Sequence, residues 1–189
     1  MINRRNRYFD KEDQFRSIIL SNDIDNETVE EVMQFIIDVN TYDEDFENQI
    51  KDYERKPIKV IINSFGGSIY DGFALVGVIE NSMTPIHTYC YGVAMSMALP
   101  IFASGHTRFM SKFSTLMYHE ALTSHLDMKF SLIKDDMDEC NRLMKQYDEY
   151  LLSRSTITQK QLDEVKKSRR DWYFTAGEAL KLKLIEAII

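Results

Sequence analysis

At 189 residues the chain has the size of one domain with a substantial core. Its 44% hydrophobic and 28% charged residues fit a globular protein, and a formal net charge of −7 argues against nonspecific nucleic-acid binding. No apolar run approaches the roughly 18 residues of a membrane span. The start carries Arg4, Arg5 and Arg7 and runs into Asp10-Lys11-Glu12-Asp13, so no signal peptide is expected. Cys90 and Cys140 show neither a metal spacing nor a disulfide framework. They fit buried thiols in a reducing compartment, which predicts a cytoplasmic protein.

In chain order, residues 16–21 read as a strand. Asp25 or Asn26 then caps a helix whose apolar face is Val29, Val32, Met33, Ile36 and Ile37. Residues 41–56 are acidic and read as a solvated loop or irregular helix. After Pro57, residues 58–63 form a strong β pattern that reads as buried. Ser64-Phe65-Gly66-Gly67-Ser68 is a glycine turn, followed by a helix with Phe73, Val76 and Ile79 on one face. After Pro85, a β-branched and aromatic run over 86–91 stops at Gly92. Small residues lead to Ser96, and an apolar run (Leu99, Ile101, Phe102) begins a helix. Gly105 turns the chain into two short strands, 107–110 and 115–118. Strands alternating with helices predict an α/β fold with a largely parallel sheet.

From Phe130 to Leu151 one long helix is expected. Phe130, Ile133, Met137, Cys140, Met144, Tyr147 and Leu151 keep a three–four spacing, a narrow seam suited to packing along another helix. Leu143 and Tyr150 lie outside it and predict a second, exposed apolar strip for a partner subunit. Thr158 with Gln161, and Thr175 with Glu178, carry capping-box signatures for two short helices. Residues 184–189 read as a last strand.

The chemistry begins with Ser96. Taken alone, a serine at a strand-to-helix turn reads first as a helix cap. It also has the placement of a nucleophile at an exposed bend, with helix N–H groups nearby. A serine hydroxyl needs a base, and the base needs an orienting group. Among the four histidines, His119 ends a β run and opens a polar stretch, where its ring can face a cleft. His87 lies inside a strand, and His106 and His125 read as surface residues. Asp171, between Arg170 and Trp172, is the candidate carboxylate. Gly66-Gly67 ends one strand as Gly92 ends another, so the Gly67 and Met97 N–H groups could flank one oxygen. There is no GxGxxG, no Walker-type phosphate loop and no HExxH motif, and no cofactor or metal is expected.

Together these blocks resemble the proteolytic subunit of the Clp protease, a serine peptidase that forms barrel-shaped chambers. Ile62-Asn63-Ser64-Phe65-Gly66-Gly67-Ser68 is similar to the family's INSPGGS, Gly92 to Met97 to its GxAxSM turn, and Leu116-Met117-Tyr118-His119 to its MIH. Arg170-Asp171, with Phe174-Thr175-Ala176-Gly177-Glu178-Ala179, is similar to its RD…(F/Y)(M/L)SAxEA. The resemblance runs from about Arg16 to the C-terminus. It implies Ser96 as nucleophile, His119 as base, Asp171 as orienting acid, and Gly67 and Met97 as oxyanion donors. It implies substrate contacts from Gly66, Ser68, Ile69, Leu122 and Thr123, and an oligomer contact from Arg170. The implied fold is a crotonase-type βαβ spiral, residues 16–189, with a protruding helical handle at about 120–155. Residues 1–15 would be a short axial segment. Stacked heptameric rings, polypeptide substrates and a separate AAA+ unfoldase are also implied.

The departures are specific. Phe65 replaces the family's proline, Met95 replaces a small residue beside the nucleophile, and Pro100 sits near the first turn of the Ser96 helix. The segment before Arg16 is shorter than the family's, and residues 41–56 look like an insertion. The glycine-rich strand after the histidine is replaced by Glu120-Ala121-Leu122-Thr123-Ser124-His125-Leu126. Divergence with an intact triad points to a specialised relative, such as one carried by a phage. Two other functions stay open at this point. One is a non-catalytic ring subunit that assembles with an active paralogue. The other is an acyl-CoA enzyme on the same spiral.

Overall fold

A computed structural model of the chain describes residues 16–120 and 130–189, with the side chains of 130–133 left aside. Five parallel strands form its main sheet, in the order β1 (Ser17–Leu20), β2 (Ile58–Ser64), β3 (Ile86–Met95), β4 (Thr107–Met110) and, at the end of the chain, a two-residue strand, Ala187–Ile188. The strand β5 (Thr115–Tyr118) also pairs with β3, but further along it. β3 pairs with β4 through His87 to Cys90, and with β5 through Val93 to Met95. That change of neighbour carries the sheet around a corner, and it is at this corner that β3 ends in Ser96.

Alternation sets the two faces of the sheet. In β2, Ile58, Val60, Ile62 and Ser64 are buried while Lys59 and Asn63 are exposed, so the strand is covered on one face only, not on both. The buried face packs under α1 (Asn26–Gln49), α2 (Ile69–Glu80) and α3 (Ala98–Ala103), which contact one another in sequence. The opposite face carries Ile19, Ile61, His87, Tyr89, Tyr91 and Phe109, with Tyr89 stacked on Phe109 at 4.7 Å between centroids. Ile19 and Tyr91 are exposed there.

Asp25 caps α1, accepting from the Thr28 N–H at 2.9 Å. The helix then runs past the expected boundary, to Gln49, so the first part of the acidic stretch is regular helix. Its inner face is Val29, Val32, Phe35, Ile36, Val39 and Asp43; Ile37 points outward. Asp43 is fully buried because its charge is met on every side. Arg16 forms a two-pronged ion pair with it, and the Tyr53 and Thr84 hydroxyls donate to it at 2.7 and 2.6 Å. No local pattern marks this network, since its members come from positions 16, 43, 53 and 84.

The helix α4 (Phe130–Arg154) packs against α3. Arg154 fastens its end by donating to the Ala103 and Gly105 carbonyls at 2.9 and 2.7 Å. Both capping boxes are formed, at α5 (Gln159–Ser168) and α6 (Ala176–Lys181). Between these helices lies β6 (Trp172–Phe174), antiparallel to β5; with it counted, the final strand Ala187–Ile188 becomes β7. Among the described residues, no helix is long and apolar enough to cross a membrane.

Candidate active site

The corner of the sheet makes the site. β3 does not stop at Gly92 but continues to Met95, because Gly92 leaves room for the Asn63 side chain, whose amide oxygen accepts from the Val93 N–H at 3.1 Å. The turn is then made by Ser96 itself, at φ 51°, a left-handed conformation that a non-glycine residue adopts only when its surroundings hold it. The Ser96 N–H donates to the Met117 carbonyl at 3.0 Å, and the Ser96 carbonyl accepts from the Leu99 N–H at 2.9 Å. Pro100 falls in the first turn of α3, where its missing N–H has no helical partner to lose.

β5 brings the base. Its register pairs Met95 with Met117, two residues before His119. The His119 Nε2 lies 2.8 Å from the Ser96 Oγ, a hydrogen bond between two half-buried side chains. That distance is within reach for direct proton transfer.

The glycine turn sits against this pair. Gly66 and Gly67 have φ of 109° and 152°. A Cβ on Gly66 would lie 2.6 Å from the Ser96 Cβ, so only glycine allows this approach. The bridge from this turn to Ile24 uses the Gly66 carbonyl and the Ser68 N–H. Among the described residues, the Gly67 and Met97 N–H groups are left without a backbone acceptor. Ser68 serves as the N-cap of α2 and Ile69 is its first residue.

Asp171 comes from the other side of β5. Leu116, Met117 and Tyr118 pair with Phe174, Tyr173 and Trp172, so one further step sets Asp171 opposite His119. The carboxylate is exposed, however, and accepts from the Tyr173 hydroxyl at 3.2 Å. Among the described residues, no hydrogen bond joins His119 to Asp171.

Four residues that sequence reasoning did not single out for the site lie beneath it. The Tyr147 hydroxyl donates to the Ser96 carbonyl at 2.9 Å. The Tyr118 hydroxyl donates to Asp148 at 2.7 Å, and Lys166 forms an ion pair with the same carboxylate. Burial raises the phenol pKa of both tyrosines, which keeps them protonated donors. The sequence signals are the placing of Tyr147 in the apolar seam and of Tyr118 in the block that ends at His119.

The expected partner strip on α4 is not exposed. Leu143 is buried within the subunit, and Tyr150 is half-buried, edge-on to Phe73, with its hydroxyl donating to Glu80 at 2.5 Å. The helix buries a wider face than a two-position seam, as a globular helix does. Among its described side chains, the exposed large apolar one is Met137, a seam residue. Arg170 is exposed; Leu122, Thr123 and residues 1–15 lie outside the described residues. A cavity of about 530 Å³ beside Glu120 is lined by Met137, Cys140, Met144, Asp148 and Lys166. Among the described residues, no cluster of three or more His, Cys, Asp or Glu side chains is arranged to hold a metal.

The fold is of the mixed α/β class, and its corner holds a Ser–His pair on a strand-to-helix turn. The family model for Clp protease matches residues 3–189. The chain is 31% identical over 137 residues to the ATP-dependent Clp protease proteolytic subunit 2 of Parasynechococcus marenigrum, covering 71% of this chain and 68% of that one. It is 28% identical over 177 residues to the proteolytic subunit 1 of Prochlorococcus marinus, covering 92% and 84%. A ClpP1 point mutant from Listeria monocytogenes shares the fold, with a TM-score of 0.76 at 18% identity over 92% of this chain and 91% of that one. The chain belongs to the Clp protease family.

Proposed function

We propose that this chain is a serine endopeptidase that cleaves peptides or unfolded polypeptides inside an oligomeric chamber, through an acyl-enzyme on Ser96. The observation that carries this reading is the 2.8 Å contact between His119 Nε2 and Ser96 Oγ on the left-handed turn. His119 takes the proton from Oγ as it attacks the peptide carbonyl. The oxyanion that forms is met by the Gly67 and Met97 N–H groups. The proton then passes from His119 to the leaving amine, and water repeats the cycle to release the acid. Asp171 completes the triad by turning from Tyr173 to the other ring nitrogen of His119.

The assembly is the less local part of the proposal. Stacked rings are supported by the uncovered sheet face with Ile19, Tyr89, Tyr91 and Phe109, and by Met137 on α4. The sequence carries no nucleotide-binding motif, so ATP dependence would come from a separate AAA+ unfoldase. A cytoplasmic location belongs to the same reading. The isolated protein should cleave short peptides slowly and folded proteins negligibly.

A second reading, a non-catalytic ring subunit, is favoured by one observation, the engagement of Asp171 by Tyr173 instead of His119. An active-site fluorophosphonate separates the two. The expected result is one modified residue, Ser96, in wild type, with no label and no peptide cleavage in Ser96→Ala. Wild-type protein that stays unlabelled in every assembly state would overturn the peptidase reading.

A further inference from the structure

We propose that Tyr147 and Asp148, neighbours on α4, are positioning residues for acylation: one holds the nucleophile's turn and the other holds the strand end that carries the base. This rests on the reading of Ser96 and His119 as the acylating pair.

Adjacent helical residues point about 100° apart, so two in a row rarely face one site. Here both are buried, at 4% and 3% exposure, and each sends a polar atom to a different half of the pair. The Tyr147 hydroxyl reaches the Ser96 carbonyl at 2.9 Å. That carbonyl already accepts from the Leu99 N–H, so the hydroxyl fills its second lone pair. Ser96 sits at φ 51°, a conformation that persists only when fixed from outside. Its N–H is fixed by β5 and its carbonyl by the turn and by Tyr147; of these, Tyr147 is the side chain.

Asp148 acts on the other half. One carboxylate oxygen accepts from the Tyr118 hydroxyl at 2.7 Å and the other is paired with Lys166 of α5. Side chains alternate along a strand. Tyr118 therefore points into the core, and its successor His119 points to the open side, where it meets Ser96. Anchoring the Tyr118 hydroxyl fixes where β5 ends and so where the imidazole begins. The Tyr118 and Tyr147 rings lie 5.5 Å apart, which joins the two anchors into one packed unit. Lys166 keeps the Asp148 charge from being buried alone. The result is a floor that sets the distance between nucleophile and base.

Misplacement of reacting groups by about 1 Å can cost about 10²-fold in rate. Removing one hydroxyl from the floor loosens one anchor and leaves the other, so a loss of roughly tenfold is expected. The test is the rate of fluorophosphonate acylation against probe concentration for Tyr147→Phe and Tyr118→Phe, each of which deletes an O–H and keeps the ring. The maximal acylation rate should fall about tenfold in each, while the half-saturating probe concentration stays within about twofold. Asp148→Asn, which still accepts from Tyr118, should retain more of the rate than Asp148→Val. Tyr53→Phe is the comparison: it also deletes a hydroxyl bonded to a buried aspartate, Asp43, but away from the site. It should lower thermal stability and leave the acylation rate unchanged.

If both tyrosine variants acylate at the wild-type rate, the proposal is overturned while the peptidase reading stands. It is also overturned if their loss matches only the fraction unfolded, or if Tyr53→Phe slows acylation equally. An unlabelled wild type overturns both readings. Should one tyrosine variant fail to fold, the other decides by the same rates.

Discussion

Asp148 lies beneath the Ser96–His119 pair with both carboxylate oxygens engaged, whereas Asp171 sits exposed at the start of β6 with one long hydrogen bond, from Tyr173. Asp43, at the far end of α1, is partnered as completely as Asp148. The two buried acids need that treatment, since an unpaired charge in the core costs several kcal/mol. Asp171 does not, because water solvates it. Ser96 and His119 are therefore placed by the subunit's own core. Asp171 is carried on a short strand whose pairing in the sheet is with β5 alone, and its geometry is set by weak, exposed contacts.

The largest test of this contrast is Asp171→Asn. If Asp171 orients His119 during acylation, the variant should fold normally and lose about 10⁴ in turnover. Peptide cleavage by the assembled protein measures it. Activity within about threefold of wild type would make Asp171 a surface charge and give the orienting role to another group.

Asp43→Ala probes the opposite case. It leaves Arg16 buried beside Tyr53 and Thr84 without its counter-charge, and a loss of about 3–5 kcal/mol is expected. Denaturant unfolding should show it, with the Ser96 labelling rate of the folded fraction unchanged. The same carboxylate gives a pH dependence. Burial alone would raise its pKa, but the hydrogen bonds from Arg16, Thr84 and Tyr53 together outweigh burial and hold it below the usual value. A depressed folded-state pKa contributes stability above the unfolded value of about 4, and that contribution is lost as pH falls through the folded value. Wild type should lose more thermal stability than Asp43→Asn on going from about pH 5 to about pH 3. Parallel acid limbs in the two proteins would show that Asp43 is not the group responsible.

What the sequence made legible follows the same division. Ser96, His119, the Gly66-Gly67 turn and both capping boxes rest on local signals: a strand meeting small residues, a histidine at a strand end, a threonine three residues before its partner. Asp43 and Asp148 carry no such signal. Each is one acid in a charged, helical neighbourhood, and what buries it arrives from distant positions, 16 and 84 for one, 118 and 166 for the other. Leu143 is buried where an exposed strip was expected because a three–four seam describes a helix gripping one partner, whereas α4 packs on both α3 and α5. β6 escaped notice because three residues give no period to read.

The smallest expected effect sharpens the comparison most directly. For Asp171 to serve His119 it must turn a carboxylate oxygen to the ring, while the Tyr173 hydroxyl engages its Oδ2 at 3.2 Å in an exposed position. The Tyr173 pKa is raised first by that same hydrogen bond, so the hydroxyl remains a donor at neutral pH. An exposed bond of this kind is weak, because water replaces either partner. Tyr173→Phe removes the competitor and keeps the ring over Met117 across the ladder. Acylation of Ser96 should then rise by about twofold, and by no more than about fivefold. A fall beyond about threefold would mean the reverse: that the Tyr173 hydroxyl holds Asp171 in its working position, and that the exposed edge is as deliberately built as the buried floor.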